Sequence, residues 1–118
     1  MNEEHQIKDG ARTLTFRGRI LSEISSRHAS KRRWIELTLY VTTGGTYVLH
    51  GVGQSIVPGE TKREWAQISD EPNGVIERLY LYNDQGARYI PNTSKMLLQK
   101  ACERDRRFAA AYLTEHID

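Results

Sequence analysis

Arg33-Trp34-Ile35-Glu36-Leu37-Thr38-Leu39-Tyr40-Val41-Thr42 leads through Thr43-Gly44-Gly45 into Thr46-Tyr47-Val48-Leu49-His50-Gly51-Val52. Two alternating runs rich in β-branched and aromatic residues, joined at a glycine pair, spell a β-hairpin. Successive side chains on a strand point to opposite faces, so the loop decides which residues share a face. With Gly44 and Gly45 as a two-residue loop, Thr43 faces Thr46, Val41 faces Val48, Leu39 faces His50 and Leu37 faces Val52. Together with Ile35 these residues form the predicted core face. The opposite face pairs Tyr40 with Leu49 and Thr42 with Tyr47, and sets Trp34 near Ser55.

Upstream, residues 13–24 read as a strand. Leu14, Phe16, Gly18 and Ile20 share one parity, while Arg17, Arg19 and Leu21 share the other. The adjacent Ile20-Leu21 pair breaks the alternation and predicts a bulge or bend. A polar connector containing His28 spans 25–31. Residues 1–10 are polar and unpatterned, and disorder is predicted there. Downstream, Val57-Pro58-Gly59-Glu60 is a turn, and 63–69 reads as a fourth strand with Ala66 and Ile68 on one side and Trp65 on the other.

Asp70-Glu71-Pro72-Asn73 has the acidic residue and early proline of a helix start. Val75, Ile76, Leu79 and Tyr82 then recur at helical spacing, and Asn83-Asp84-Gln85-Gly86 is expected to end that helix before an extended link over 87–90. Pro91-Asn92-Thr93 opens a second helix with a stripe of Met96, Leu97, Ala101 and Cys102 beside Leu98. Asp105 is positioned to cap a third helix carrying Phe108, Ala111 and Tyr112, the alternative being one continuous helix over 93–116. Strands first and helices second predict an α+β fold: an antiparallel sheet of three to four strands, with two to three helices on one face, in a single domain over 11–118.

A chain of 118 residues suits one core. Lys and Arg number 17 against 15 for Asp and Glu; bulk charge therefore gives no reason to expect nucleic acid, although Arg27, Lys31, Arg32 and Arg33 crowd one short segment. The single Cys102 can form no internal disulfide and reads as a small buried apolar residue. No apolar run approaches the ~20 residues that span a bilayer, and the N-terminus lacks the basic and apolar regions of a signal peptide. A cytoplasmic protein that does not contact membranes is expected.

Catalytic patterns are weak. Gly53-Gln54-Ser55-Ile56-Val57 lacks the second glycine of a nucleophile elbow, and Gly51-Val52-Gly53 lacks the lysine and helix start of a phosphate loop. Those glycines are expected to let the strand bend or a side chain cross close to the backbone. His50 falls on the predicted core face opposite Leu39, where a structural role is expected. His5, His28, His50 and His116 are scattered, and structural zinc needs four converging ligands. No enzymatic activity, metal or cofactor is expected.

The second sheet face remains. Arg17, Arg19, Trp34, Tyr40, Thr42, Tyr47 and Leu49 are predicted to share it, with Arg27, Lys31, Arg32 and Arg33 at its edge. Trp, Tyr and Arg anchor protein interfaces, and aromatics among arginines also stack bases and hold phosphates. A helix of the same chain could equally cover this face and make Trp34 core. If a second molecule covers it, a symmetric homodimer is the simplest one.

The pattern Phe16-x-Gly18-x-x-Leu21, Ser25-Ser26, Arg33-Trp34-x-Glu36-Leu37-x-Leu39-Tyr40, Thr43-Gly44-Gly45-x-Tyr47-Val48 and Gly53-x-Ser55 resembles a family of uncharacterised small proteins carried on bacterial plasmids, phages and integrated elements. Leu79-Tyr80, Asp84-x-Gly86-x-Arg88-Tyr89, Leu97-Leu98, Ala101 and Asp105 resemble its C-terminal part. Members of that family often carry a Cys- and His-bearing insertion between the two blocks; here residues 57–62 hold neither, so no metal role carries over. The resemblance implies a mobile-element accessory protein that acts by binding a host protein or nucleoprotein complex, in the manner of anti-CRISPR inhibitors. A DNA- or RNA-binding accessory factor is the alternative.

Overall fold

The computed structural model describes residues 2–114. Five strands, β1 (Glu3–Asp9), β2 (Arg12–Ser25), β3 (Arg33–Thr42), β4 (Tyr47–Ser55) and β5 (Arg63–Ser69), form one antiparallel sheet in chain order. There follow α1 (Pro72–Leu79), a short ribbon of β6 (Leu81–Tyr82) and β7 (Arg88–Tyr89), α2 (Asn92–Arg104) and α3 (Arg106–Leu113). The architecture is α+β with helices on one sheet face, as expected, but with five strands in the sheet.

The extra strand is β1. Its residues pair with β2 from Glu3 opposite Gly18 to Asp9 opposite Arg12. The expected disorder over 1–10 is therefore corrected, apart from Met1, which lies outside the described residues. Polar composition hid a strand with one buried apolar position, Ile7. The sheet curls until β1 approaches β5. Gly10 N donates to Glu64 O at 2.9 Å, and Ala66 N donates to the Asp9 carboxylate at 3.1 Å. Those contacts hold the Asp9 carboxyl below its ordinary range, the Ala66 amide first and Arg12 second.

The hairpin exists, but its register differs by one residue. Leu39 pairs with Leu49, Tyr40 with Val48 and Val41 with Tyr47. Thr42 N donates to Thr46 O at 2.8 Å and Gly45 N to Thr42 O at 2.9 Å, so the loop has three residues, 43–45. Gly45 sits at φ 87°, the left-handed residue that commonly ends a three-residue hairpin loop. The one-residue difference exchanges the faces of β4. Tyr47 and Leu49 turn toward the helices and are fully buried, whereas Val48, His50 and Val52 turn to the concave side.

The predicted bulge is present: the β2–β3 register shifts between Ile20 and Ser22. It sends both Leu21 and Ser22 into the helix side, where both are buried, and Ser22 Oγ donates to Leu97 O at 2.9 Å. The main core joins Leu21, Leu37, Leu39, Tyr47 and Leu49 of the sheet to Val75, Leu79, Leu97, Ala101 and Phe108 of the helices. A smaller core of Ile7, Tyr40 and Val48, with Leu14, Phe16 and Ala66 beside it, fills the concave side. Trp65 lies directly over Gly51, leaving no room for a Cβ there. That is the close crossing expected here, and it falls at Gly51 and not at Gly53, whose nearest neighbour is Arg63 O at 3.9 Å.

Pro72 occupies the first turn of α1, but α1 ends at Leu79. Tyr82 lies in the ribbon instead, and Asn83-Asp84-Gln85-Gly86 is its hairpin turn. The second and third helices are separate. Asp105 breaks between them with its backbone extended, and its carboxylate accepts from Phe108 N at 3.0 Å. His116 of the continuous-helix alternative lies outside the described residues. Cys102 is only half-buried, and desolvation raises its thiol pKa.

Gly45 and Gly44 should respond differently to substitution. Gly45→Val forces a β-branched residue into left-handed backbone and should cost about 1–2 kcal/mol. Gly44→Ala meets only ordinary contacts, the nearest being Thr42 Oγ1 at 3.8 Å, and should leave the urea midpoint nearly unchanged. Leu39→Ala, in the main core, should cost about 2–5 kcal/mol. Urea melts of the three variants check the register: equal loss at Gly44 and Gly45 would contradict the three-residue loop.

Candidate partner-binding surface

The expected partner-binding residues Arg17, Arg19, Arg27, Lys31, Arg32, Arg33, Trp34, Tyr40 and Tyr47 divide into three groups. Arg17 and Arg19 are on the helix side of β2, because Arg19 pairs with Val41 while Ile20 pairs with Tyr40. Arg19 Nη2 donates to Arg104 O at 3.4 Å. Tyr47 is core. It stands edge-on to Phe108 at 4.9 Å, and its hydroxyl donates to the Asp105 carboxylate at 3.0 Å. Burial, then that hydrogen bond, pushes the Tyr47 hydroxyl up to about 12. Tyr40 is buried in the concave core between His5 and Phe16, with ring centroids at 4.7 and 5.1 Å. Arg17, Arg19, Tyr40 and Tyr47 therefore leave the predicted site. Parity along one strand cannot say how it is phased against its neighbour, and the three-residue loop reversed the assignment of Tyr47.

Arg27, Lys31, Arg32, Arg33 and Trp34 stay together at one end of the sheet. The β2–β3 and β4–β5 connectors meet there, with Ile56 N donating to Arg32 O at 3.0 Å. Trp34 is half-buried, and the Arg27 guanidinium lies 4.6 Å from its ring centroid. Its indole N–H donates to Glu36 at 3.4 Å, and Gln54 donates to the other Glu36 oxygen at 3.2 Å. Beside Trp34 opens a cleft of about 490 Å³, lined also by Arg33, Gln54, Ser55, Glu60 and Arg63.

Glu60 organises this cleft. Arg33 Nε and Nη2 donate to its carboxylate at 2.8 and 2.6 Å, and Ser55 Oγ donates at 2.5 Å. Arg33, then Ser55, draws the Glu60 carboxyl down to about 2, and Glu60 in turn raises the Arg33 pKa. Ser55 Oγ also accepts from Val57 N at 3.0 Å, which fixes the turn. Lys31, Arg32 and Arg63 are exposed, and among the described residues none of them lies in an ion pair with a carboxylate. Ile56 is also exposed here, at 61%. Glu36, Gln54, Glu60 and Arg63 were missing from the sequence-based site. Arg63 and Glu60 belong to a turn and strand far along the chain, and only the pairing of β3 with β4 and β5 brings them near Trp34.

His50 and Ser55 fall on opposite faces of β4. The correction to the register takes His50 from its predicted place opposite Leu39 to one opposite Thr38, on the concave side. There its Nε2 lies 3.0 Å from Glu64, which also pairs with Lys62 at 3.1 Å. Lys62, then His50, lowers the Glu64 pKa. Among the described residues there is no group of His, Cys, Asp and Glu arranged to hold a metal. No described helix is long and apolar enough to cross a membrane.

The Arg33–Glu60 clamp has a measurable signature. A folded-state pKa below the ordinary glutamate value of 4.5 means the contact strengthens folding above that value and is lost as pH falls through about 2. Side-chain carboxyl NMR should show Glu60 still ionised at pH 3. In Arg33→Ala its midpoint should move back toward 4.5. An unmoved midpoint would mean that Ser55 alone holds the carboxylate.

No family model, no curated protein and no solved structure matches this chain.

Proposed function

We propose that this protein is a non-catalytic binding protein of a mobile genetic element, and that it inhibits a host defence complex by direct protein contact. The observation that carries the reading is the composition of the cleft end. Trp34 braced by Arg27, an exposed Ile56, exposed Arg32 and Arg63, and the ionised Glu60 lie within one patch. Apolar, cationic and anionic groups side by side match a protein surface, where Trp and Arg are the usual anchors. Carboxylates at Glu36 and Glu60 oppose a phosphate backbone, and Arg27 already covers part of the indole that a base would stack on. The resemblance to small mobile-element proteins points to host machinery as the partner. The separation of Ser55 from His50 favours binding over hydrolysis.

Nucleic acid binding is the second reading, favoured by the exposed Lys31, Arg32 and Arg63, none of which lies in an ion pair among the described residues. Salt separates the two. Phosphate contacts weaken log-linearly and steeply as salt rises, whereas a contact centred on Trp34 should depend on salt much less.

Expression in bacteria with active CRISPR immunity should raise the plating of a targeted phage. Arg32→Glu with Arg63→Glu should abolish that rise with little change in melting temperature, since both side chains are exposed. Trp34→Ala should weaken binding to the purified effector complex by about 2 kcal/mol or more if it is an anchor. Unchanged plating across effector types, together with tight salt-sensitive binding to single- or double-stranded DNA or RNA, would replace this reading with the second one.

A further inference from the structure

β1 is seven residues long and β2 fourteen, so β1 covers only the first half of its neighbour. The pairing ends at Glu3 opposite Gly18. Beyond it, β2 pairs with β3 alone on its way to Ser25. Backbone groups on an antiparallel strand alternate in direction. Ser26 N donates to Ile35 O, so Ser26, Ile24 and Ser22 face β3. The amides and carbonyls of Glu23 and Ser25 therefore face outward, and among the described residues no other strand, turn or side chain takes them up. Both residues are exposed. The carbonyl of Leu21 is the exception, accepting from Arg104 Nη1 at 3.2 Å.

An unpaired strand edge of this kind is a template for another strand. The charges flanking it differ between its two sides. On the concave side Glu23 stands beside Thr38, and Ser25 beside Glu36. On the helix side Lys100 and Arg104, one turn apart on α2, run along the same edge. Lys100 lines a groove of about 520 Å³ with Glu23, Ile24 and Ser25 of β2 and Glu36, Leu37 and Thr38 of β3. A strand added here would present alternate residues to the two sides.

We infer that the outer edge of β2 from Leu21 to Ser25 is a docking site for an extended segment of a partner protein with basic residues on one face and acidic residues on the other. The basic residues meet Glu23, and the acidic ones meet Lys100 and Arg104. Backbone pairing to Glu23 and Ser25 supplies the register. A second copy of this chain is a poorer occupant. Antiparallel self-pairing would set Leu21, Glu23 or Ser25 opposite Glu23, and none of these is a cation. The site is separate from the cleft end and stands whether or not Trp34 binds a partner.

The test uses the whole protein and two end-blocked peptides of equal composition, both long enough to span the edge. In one, Lys and Glu alternate; in the other, all Lys precede all Glu. Amide exchange and chemical shifts are followed by NMR. The alternating peptide should slow exchange at Glu23 and Ser25 while leaving β5 amides unchanged, and the block peptide should not. Glu23→Lys should weaken the alternating peptide about tenfold, the scale expected when a complementary charge is reversed. Glu23→Pro, which removes one outward amide at an edge position that tolerates proline, should weaken it too. Arg32→Glu with Trp34→Ala should leave the peptide response intact. Equal response to both peptides, response to neither, or concentration-dependent protection of Glu23 without peptide would overturn the inference, the last by making a second copy the occupant.

Discussion

The left-handed backbone of Gly45 decides on which side of the sheet each residue of β4 falls. It closes a three-residue loop, and the loop phases β4 against β3 so that Tyr47 and Leu49 meet the helices. β5 inherits that phase through its own pairing, which carries Trp65 to the helix side over Gly51 and Ala66 to the concave core. Tyr47 then reaches Asp105, the residue that caps α3 and orients Phe108. The second device is the bulge at Leu21. It reverses the phase of β2 midway, so that Leu14 and Phe16 serve the concave core while Ser22 and Ile24, of the same parity, turn with Leu21 to the helix side. One sheet thus supports two cores of unequal size.

Local signals were legible wherever the chemistry was local. The Ile20-Leu21 break, the strand over 63–69, the proline entry to α1 and the Asp105 cap are all written in adjacent residues, and each is present. Loop length was less so, since Thr43-Gly44-Gly45 permits both a two- and a three-residue loop, and the three-residue loop is the one whose register buries Tyr47 and Leu49. β1 was missed because its partner shields it: the polar side chains of Glu4, Gln6 and Lys8 face solvent while His5 and Ile7 turn inward. Half of the candidate surface was visible because it is local. Arg27, Lys31, Arg32, Arg33 and Trp34 are near neighbours in sequence, whereas Glu60 and Arg63 reach them only through strand pairing.

The helix side explains why so many arginines leave the surface count. Arg19 and Arg104 donate to backbone carbonyls, and Arg107 spans Gly45 O and Asp70 O. Arg78 lies over Trp65 and Arg88 over Tyr80, at 3.9 and 3.8 Å from the ring centroids. Arg19, Arg78, Arg104 and Arg107 link helices and turns to the sheet, and Arg88 links the ribbon to the end of α1. What remains free at the cleft end is a smaller and more mixed set of charges than composition alone implied.

The seam at Asp9 and Gly10 carries a kinetic consequence. Every strand of the sheet pairs with its neighbour in sequence, so the ladder can grow hairpin by hairpin with short loops to close. Among the described strands of the sheet, the seam is the contact that joins the two ends of the ladder, with 57 residues separating Asp9 from Ala66. Chain entropy makes such a contact slow to form unless the intervening strands already hold its ends together. Loop-closure entropy therefore favours an order in which the strands pair first and the sheet curls afterwards.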